Sequence, residues 1–168
     1  ASRGNDLWER IIEAGAPYEI RPTGPVDVRR VEGGIFNWGA DMNYENNPFE
    51  LGLDRLVDLD TEADFIAREA LAKIREEGVT QKIVGLEIEG DRLEMNATTW
   101  PVVADGADGR VTSAVYSPRL EKNIGYVWLP VEHTELGTHV RVETPDGARE
   151  ATIVPLPFFD PEKQIPKS

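Results

Sequence analysis

The sequence predicts an α+β protein in which a helical first part is followed by a small antiparallel β-barrel or sandwich. Apolar residues recur at helical spacing at Leu7, Trp8, Ile11 and Ile12, and again between residues 65 and 74. After Gly78 the pattern changes to short alternating runs separated by turn residues. With 168 residues, 40% of them hydrophobic, the chain is long enough for one full domain or two small ones.

Taken in order, the first helix carries Leu7, Trp8, Ile11 and Ile12 behind Asn5 or Asp6 as a cap, and Gly15 closes it. Pro25 is a good first helical residue, so a second short helix is expected from there to Gly33 or Gly34. One of those glycines takes the positive φ that ends a helix, and the chain then turns away at Ile35. Residues 29–43, RRVEGGIFNWGADMN, follow no single period and read as a helix end running into a shaped loop. Residues 51–59 alternate loosely, as a strand would. A third helix follows: Thr61 stands three residues before Asp64 like a capping box, Phe65, Ile66, Ala70 and Ile74 face inward, and Gly78 stops it. Residues 82–89, 110–116, 124–130 and 140–144 read as strands, with a hairpin at Asp146-Gly147. The boundary between the two parts falls near residues 78–81, and residues 161–168 form an extended tail.

Charge narrows the function. Lysine and arginine number 18 against 31 aspartates and glutamates, a net charge of -13 that argues against nucleic acid or an anionic membrane as partner. Without cysteine there is neither a disulfide nor thiol catalysis. The sequence shows no signal peptide and no apolar run of about 20 residues, which leads us to expect a cytoplasmic protein. Asn96-Ala97-Thr98 matches a glycosylation sequon, read here as chance. The chain begins Ala-Ser-Arg-Gly-Asn, as expected of a processed chain or a piece of a longer one.

Few constellations carry chemistry. His133 and His139, in HTELGTH, read as surface histidines rather than a metal site. Asp58, Asp60 and Asp64 imitate a calcium loop without its turn glycine and closing glutamate, so no metal is expected. Trp38, Trp100 and Trp128 either cage a cationic ligand or, for at least two of them, pack in the core. Arg29 and Arg30 either clamp a carboxylate or pair with Glu32 or Asp27.

The run GAPYEIRPTGPVDVRRVEGGIFNWGADMNYENNPFELGLDRLVDLD, followed by DFIAREAL, resembles the later part of the aminomethyltransferase family, which includes the glycine cleavage T-protein and tetrahydrofolate-dependent demethylases. VTSAVYSPRLEKNIGYVWLP and VPLPFFD resemble that family's C-terminal barrel, so the likeness covers nearly the whole chain. The wording RRVE and YENNPFELGLDRLVDLD is most similar to the dimethylsulfoniopropionate demethylase branch.

The resemblance implies that residues 1–78 are the C-terminal portion of a folate-binding α+β domain, residues 79–160 a small antiparallel C-terminal β-barrel domain, and residues 161–168 a tail. It implies a tetrahydrofolate cofactor and a transferase that moves a methyl or one-carbon group from a sulfonium, ammonium or similar small-molecule donor. Arg30, Trp38, Tyr44 and Tyr116 are expected to line the cofactor cleft, and no residue is assigned a catalytic proton transfer. Many family members carry an arginine where Val26 stands, and a cation is expected near the position of Asp160. Those departures suit an alternative, a non-catalytic folate-binding or assembly module of a larger complex. In either case the apolar faces of residues 7–14 and 51–59 are expected to need a cover, either the N-terminal half of the same enzyme or a second polypeptide.

Overall fold

The structure, a computed structural model, describes residues 3–22, 24, 26–104, 106–162 and 164–165. Pro25, the expected first residue of the second helix, and residues 166–168 of the expected tail lie outside the described residues. The described helices are α1 (Gly4–Gly15), α2 (Asp27–Glu32) and α3 (Arg68–Glu77). The strands are β1 (Gln81–Ile88), β2 (Trp100–Ala104), β3 (Ala107–Ser117), β4 (Lys122–Pro130), β5 (His139–Thr144) and β6 (Gly147–Val154).

Neither Asn5 nor Asp6 caps α1: both lie inside it, Arg3 holds the N-cap position, and no side chain caps that end. Asp6 instead sits in the first turn, where its charge complements the helix dipole. The apolar stripe of α1 remains exposed, with Leu7 at 61%, Trp8 at 53% and Ile11 at 50%. Helix α2 ends as the glycine pair predicts. Gly33 stays right-handed, Gly34 takes φ of 69°, and the amide of Ile35 returns to the carbonyl of Arg30 at 2.8 Å.

Two expectations after α2 fail. Residues 51–59 form turns and a 3-10 turn at Asp54–Leu56 instead of a strand, because their hydrogen bonds are local. The Asn47 side chain accepts from the amides of Phe49 and Glu50, Leu53 bonds back to Pro48, and Gly52 takes φ of 64°. The third helix begins at Arg68, behind Ala67 at φ of 71°, so Thr61 and Asp64 cap nothing. No residue of the helix is buried, and Ile66, expected to face inward from it, precedes it and is 97% exposed. Gly78 does end it, at φ of 78°.

The six strands close an antiparallel barrel in the order β1-β4-β3-β2-β5-β6. Asp146-Gly147 makes the β5–β6 hairpin, in which Thr144 pairs with Gly147. Strand β2 escapes the sequence reading because Pro101 argues against a central strand. Pro101 is tolerated because β5 pairs β2 only at Val102 and Val103.

Strand β4 is buried along nearly its whole length because both of its faces are covered. Val127 and Leu129 join the barrel interior with Leu86, Val111, Ala114, Val142 and Ile153. Ile124, Tyr126 and Trp128 point outward and pack with Val31 of α2, Phe36, Leu51, Leu156 and Phe158. This second cluster clamps α2 and the loop after it onto the barrel, and at about 25 cal/mol per Å² of apolar surface such burial outweighs any single polar contact. Gly125 permits the close strand pairing, since a Cβ there would lie 2.4 Å from the carbonyl of Ser113.

Candidate functional site

The polar centre of the molecule lies where α2, the loop of residues 36–41 and β3 meet. Arg30 donates from Nε to Asp27 Oδ1 at 2.7 Å, from Nη1 to Asp41 Oδ2 at 2.8 Å and from Nη2 to Ser113 Oγ at 2.9 Å. Asp41 is buried, and its Oδ1 accepts from Thr112 Oγ1 at 2.7 Å and Ser113 Oγ at 2.6 Å. Burial works against the Arg30 cation, but the Asp27 hydrogen bond and the Asp41 charge outweigh it and raise its pKa above the usual guanidinium value. One cation thus faces two carboxylates, and Arg30 is held by an internal ion pair with Asp27 rather than free to clamp a ligand carboxylate.

Beside this cluster opens a cleft of about 350 Å³, lined by Asp27, Arg30, Gly39, Thr98, Thr99 and Ser113 among others. A second hollow of about 550 Å³ shares Asp27 and Arg30 with it and is lined also by Val26, Arg29, Phe36 and Asn37. Four residues of the 36–41 loop, Phe36, Asn37, Gly39 and Ala40, therefore border one hollow or the other. The Asp27 side chain is 44% exposed, and its Oδ2 takes no hydrogen bond from any described residue.

The four residues expected at the cofactor cleft occupy three places. Arg30 is at its centre. Trp38 and Tyr44 form an edge-to-face pair, centroids 4.5 Å apart, with Trp38 53% and Tyr44 94% exposed, and neither is among the residues lining either hollow. Tyr116 lies under Arg92 at 5.2 Å and is not among the residues lining either hollow. A cage of three tryptophans does not form, because Trp100 is buried in the barrel interior and Trp128 in the outer cluster. His139 is exposed on β5 and His133 half-buried in the 3-10 turn Val131–His133. Asp160 closes a local turn, accepting from the amides of Gln164 and Ile165. Among the described residues no group of three or more acidic, histidine or cysteine side chains could hold a metal ion. No helix among them is long and apolar enough to cross a membrane.

Sequence reasoning gave Asp41 no role of its own and missed Thr112, Ser113 and Asn96. Asp41 lies 71 and 72 residues from its two hydroxyl partners, so no local spacing signals it. Asn96, read only as a chance sequon, has its amide committed: Oδ1 accepts from the amide of Ala114 at 2.6 Å and Nδ2 donates to the carbonyl of Thr112 at 3.1 Å.

Comparison with known proteins gives this geometry a family. Residues 1–61 match the GCVT N-terminal domain, and residues 81–160 match the glycine cleavage T-protein C-terminal barrel domain. The chain belongs to the glycine cleavage T-protein family. It is 39% identical to an aminomethyltransferase of Synechococcus sp. (strain CC9902) over 95% of this chain and 43% of that protein. It is 36% identical to the dimethylsulfoniopropionate demethylase of Ruegeria pomeroyi, over 89% of this chain and 41% of that protein. The crystal structure of the glycine cleavage system aminomethyltransferase T from Bartonella henselae has the same fold, with a TM-score of 0.71 and 22% identity over 80% of this chain and 38% of that one. The chain therefore spans about two fifths of the length of the curated relatives it matches. These two relatives are similar to it to nearly the same degree.

Proposed function

We propose that this chain forms one wall of a tetrahydrofolate-dependent one-carbon transfer site, as the C-terminal part of a demethylase-like transferase. The observation that carries the reading is the Asp27–Arg30–Asp41 cluster set against an open cleft. The donor set suits the polar ring of a folate: Asp27 Oδ2 is an acceptor for ring amino and amide hydrogens, and the hydroxyls of Thr98 and Thr99 offer both donors and acceptors. It suits the anionic tail less well, since Val26 and Asp160 stand where the family resemblance leads one to expect cations. When bound, tetrahydrofolate supplies the nitrogen that accepts the one-carbon group.

This chain's residues bind and orient. Asp27, oriented by Arg30, fixes the ring edge; Trp38, Tyr44 and Tyr116 line neither hollow of this chain and keep their proposed lining roles only if the completed site extends beyond it. Aligning two bound reactants lowers a barrier by about 7–11 kcal/mol, so no proton-transfer residue is required here. The donor in this reading is a small sulfonium, ammonium or similar cation, supported by the net charge of -13 and by a cluster with two carboxylates for one guanidinium. Residues 1–78 belong to the folate-binding domain, residues 79–160 to the barrel domain, and the exposed stripe of α1 packs against the polypeptide that completes the site. The loss of a cation at Val26 favours a second reading, a folate-binding module without catalysis. Titration calorimetry with tetrahydrofolate, on the chain alone and joined to its N-terminal half, tests the proposal: binding by the joined protein supports it, and no binding in either form rejects it. Turnover of a cationic methyl donor then separates the enzyme from the module.

A further inference from the structure

We propose that Asp41 is the positioning residue of the cleft, acting through Arg30; the inference rests on reading that cleft as the cofactor site. Every polar atom of the Asp41 side chain is engaged by the protein, so it has nothing left to offer a ligand. Its Oδ2 holds Arg30 Nη1 and the amide of Asn37, both at 2.8 Å, and its Oδ1 holds the hydroxyls of Thr112 and Ser113. Its backbone carbonyl takes the indole Nε1–H of Trp128 at 2.8 Å.

A buried ion pair is a weak device for stability, because desolvation of the two charges offsets their attraction. The outer apolar cluster already fastens α2 to the barrel. What the pair adds is direction. A guanidinium is a rigid planar fork, and with Nη1 on Asp41 and Nη2 on Ser113 its Nε edge is aimed at one place, where it takes Asp27 Oδ1. That leaves Asp27 Oδ2 as the oxygen available to the cleft.

The barrel is deformed at the point that seats Asp41. Consecutive side chains of a regular strand point to opposite faces, so Thr112 and Ser113 should not reach the same oxygen. A bulge in β3, where the register with β4 shifts between Val111 and Ser113, turns both hydroxyls outward while Val111 and Ala114 both stay in the barrel interior. The Asn96 side chain takes up the Ala114 amide and Thr112 carbonyl at the bulge. The pairing in β3 resumes beyond the bulge with Ser113 opposite Tyr126 and continues to Ser117, so closure of the barrel does not depend on a double hydroxyl seat.

The test uses the full-length protein that carries this segment, with Asp41→Asn, Asp41→Glu and Ser113→Ala, and reads the Arg30 Nε–H resonance by NMR together with tetrahydrofolate affinity. Wild type is expected to show a slowly exchanging Arg30 Nε–H. Asp41→Asn is expected to lose it and to bind tetrahydrofolate about tenfold more weakly, with Asp41→Glu recovering part of both. If Asp41→Asn does not fold, Ser113→Ala decides, with an expected loss of a few-fold in affinity. An Arg30 resonance and an affinity unchanged in the folded variants overturn the proposal. Wild type that binds no tetrahydrofolate overturns the reading of the cleft instead, and the Arg30 resonance alone then decides whether Asp41 positions it.

Discussion

The phenol of Tyr126 on β4 donates to the backbone carbonyl of Arg30 at 3.0 Å, so the residue at the centre of the cleft is tied to the barrel through its main chain as well as its side chain. The same hydroxyl lies 3.1 Å from the carbonyl of Val31. Tyr126 is therefore a link between the interior of the fold and the cleft wall, and its chemistry is measurable.

Burial, with the Asp41 charge adding to it, raises the Tyr126 pKa well above that of an ordinary phenol. A neutral phenol is favoured by the folded state, so its contribution is full below the unfolded value near 10 and is lost as pH rises beyond it. Chemical denaturation across the alkaline range should show wild-type stability falling more steeply above about pH 10 than that of Tyr126→Phe. At neutral pH the same variant should lose about 1–2 kcal/mol, the value of a buried hydrogen bond. Parallel pH profiles for the two proteins would count against this assignment.

Removing Arg30 leaves Asp41 buried and without its cation. Arg30→Ala should cost about 3 kcal/mol in urea denaturation, at the lower end for a broken buried pair because Arg30 is itself part-exposed. Arg30→Lys should recover only part, since an ammonium cannot serve Asp27, Asp41 and Ser113 in one plane. A loss below about 1 kcal/mol in Arg30→Ala would show that water replaces the guanidinium.

Gly125 tests the strand pairing behind the cleft. A Cβ there meets the carbonyl of Ser113 at 2.4 Å and Ala114 Cβ at 3.3 Å, contacts that only backbone displacement relieves. Gly125→Ala should cost about 1–3 kcal/mol and weaken tetrahydrofolate binding through Ser113. Stability equal to wild type in thermal melts would mean that β3 and β4 have room this structure does not show.

The exposed stripe of α1 makes a prediction of the opposite kind. Leu7→Ser with Trp8→Ser should change the stability of this chain by less than about 0.5 kcal/mol, because both side chains are more than half exposed. The same pair should abolish association with the N-terminal half in size-exclusion chromatography with light scattering. Association that survives both changes places the docking surface elsewhere.

How much of this was legible beforehand follows from how local each feature is. The glycine pair at residues 33 and 34, the Asp146-Gly147 hairpin, the alternation in β5 and the apolar runs of β1 and β4 are written in neighbouring residues, and the structure follows them. Residues 51–59 misled because Asn47 and Gly52 direct their hydrogen bonds into turns, which alternation does not report. The start of α3 misled because a capping-box spacing at Thr61 and Asp64 works only if the next residues are helical, and Ala67 is left-handed instead. Arg30 stood out as one of a charged pair. Asp41 did not, because its meaning comes from a bulge in β3 that no single-sequence period encodes.

The cleft between α2, residues 36–41 and bulged β3 is proposed here as the tetrahydrofolate wall of a one-carbon transfer site. Hydrogen exchange of the full-length protein with and without tetrahydrofolate tests it most directly. Added protection is expected at the amides of residues 27–41 and 95–99, diminished in Asp27→Asn. Protection confined to other surfaces, such as the apolar groove around Leu136 and Pro157, or equal in wild type and Asp27→Asn, would contradict it.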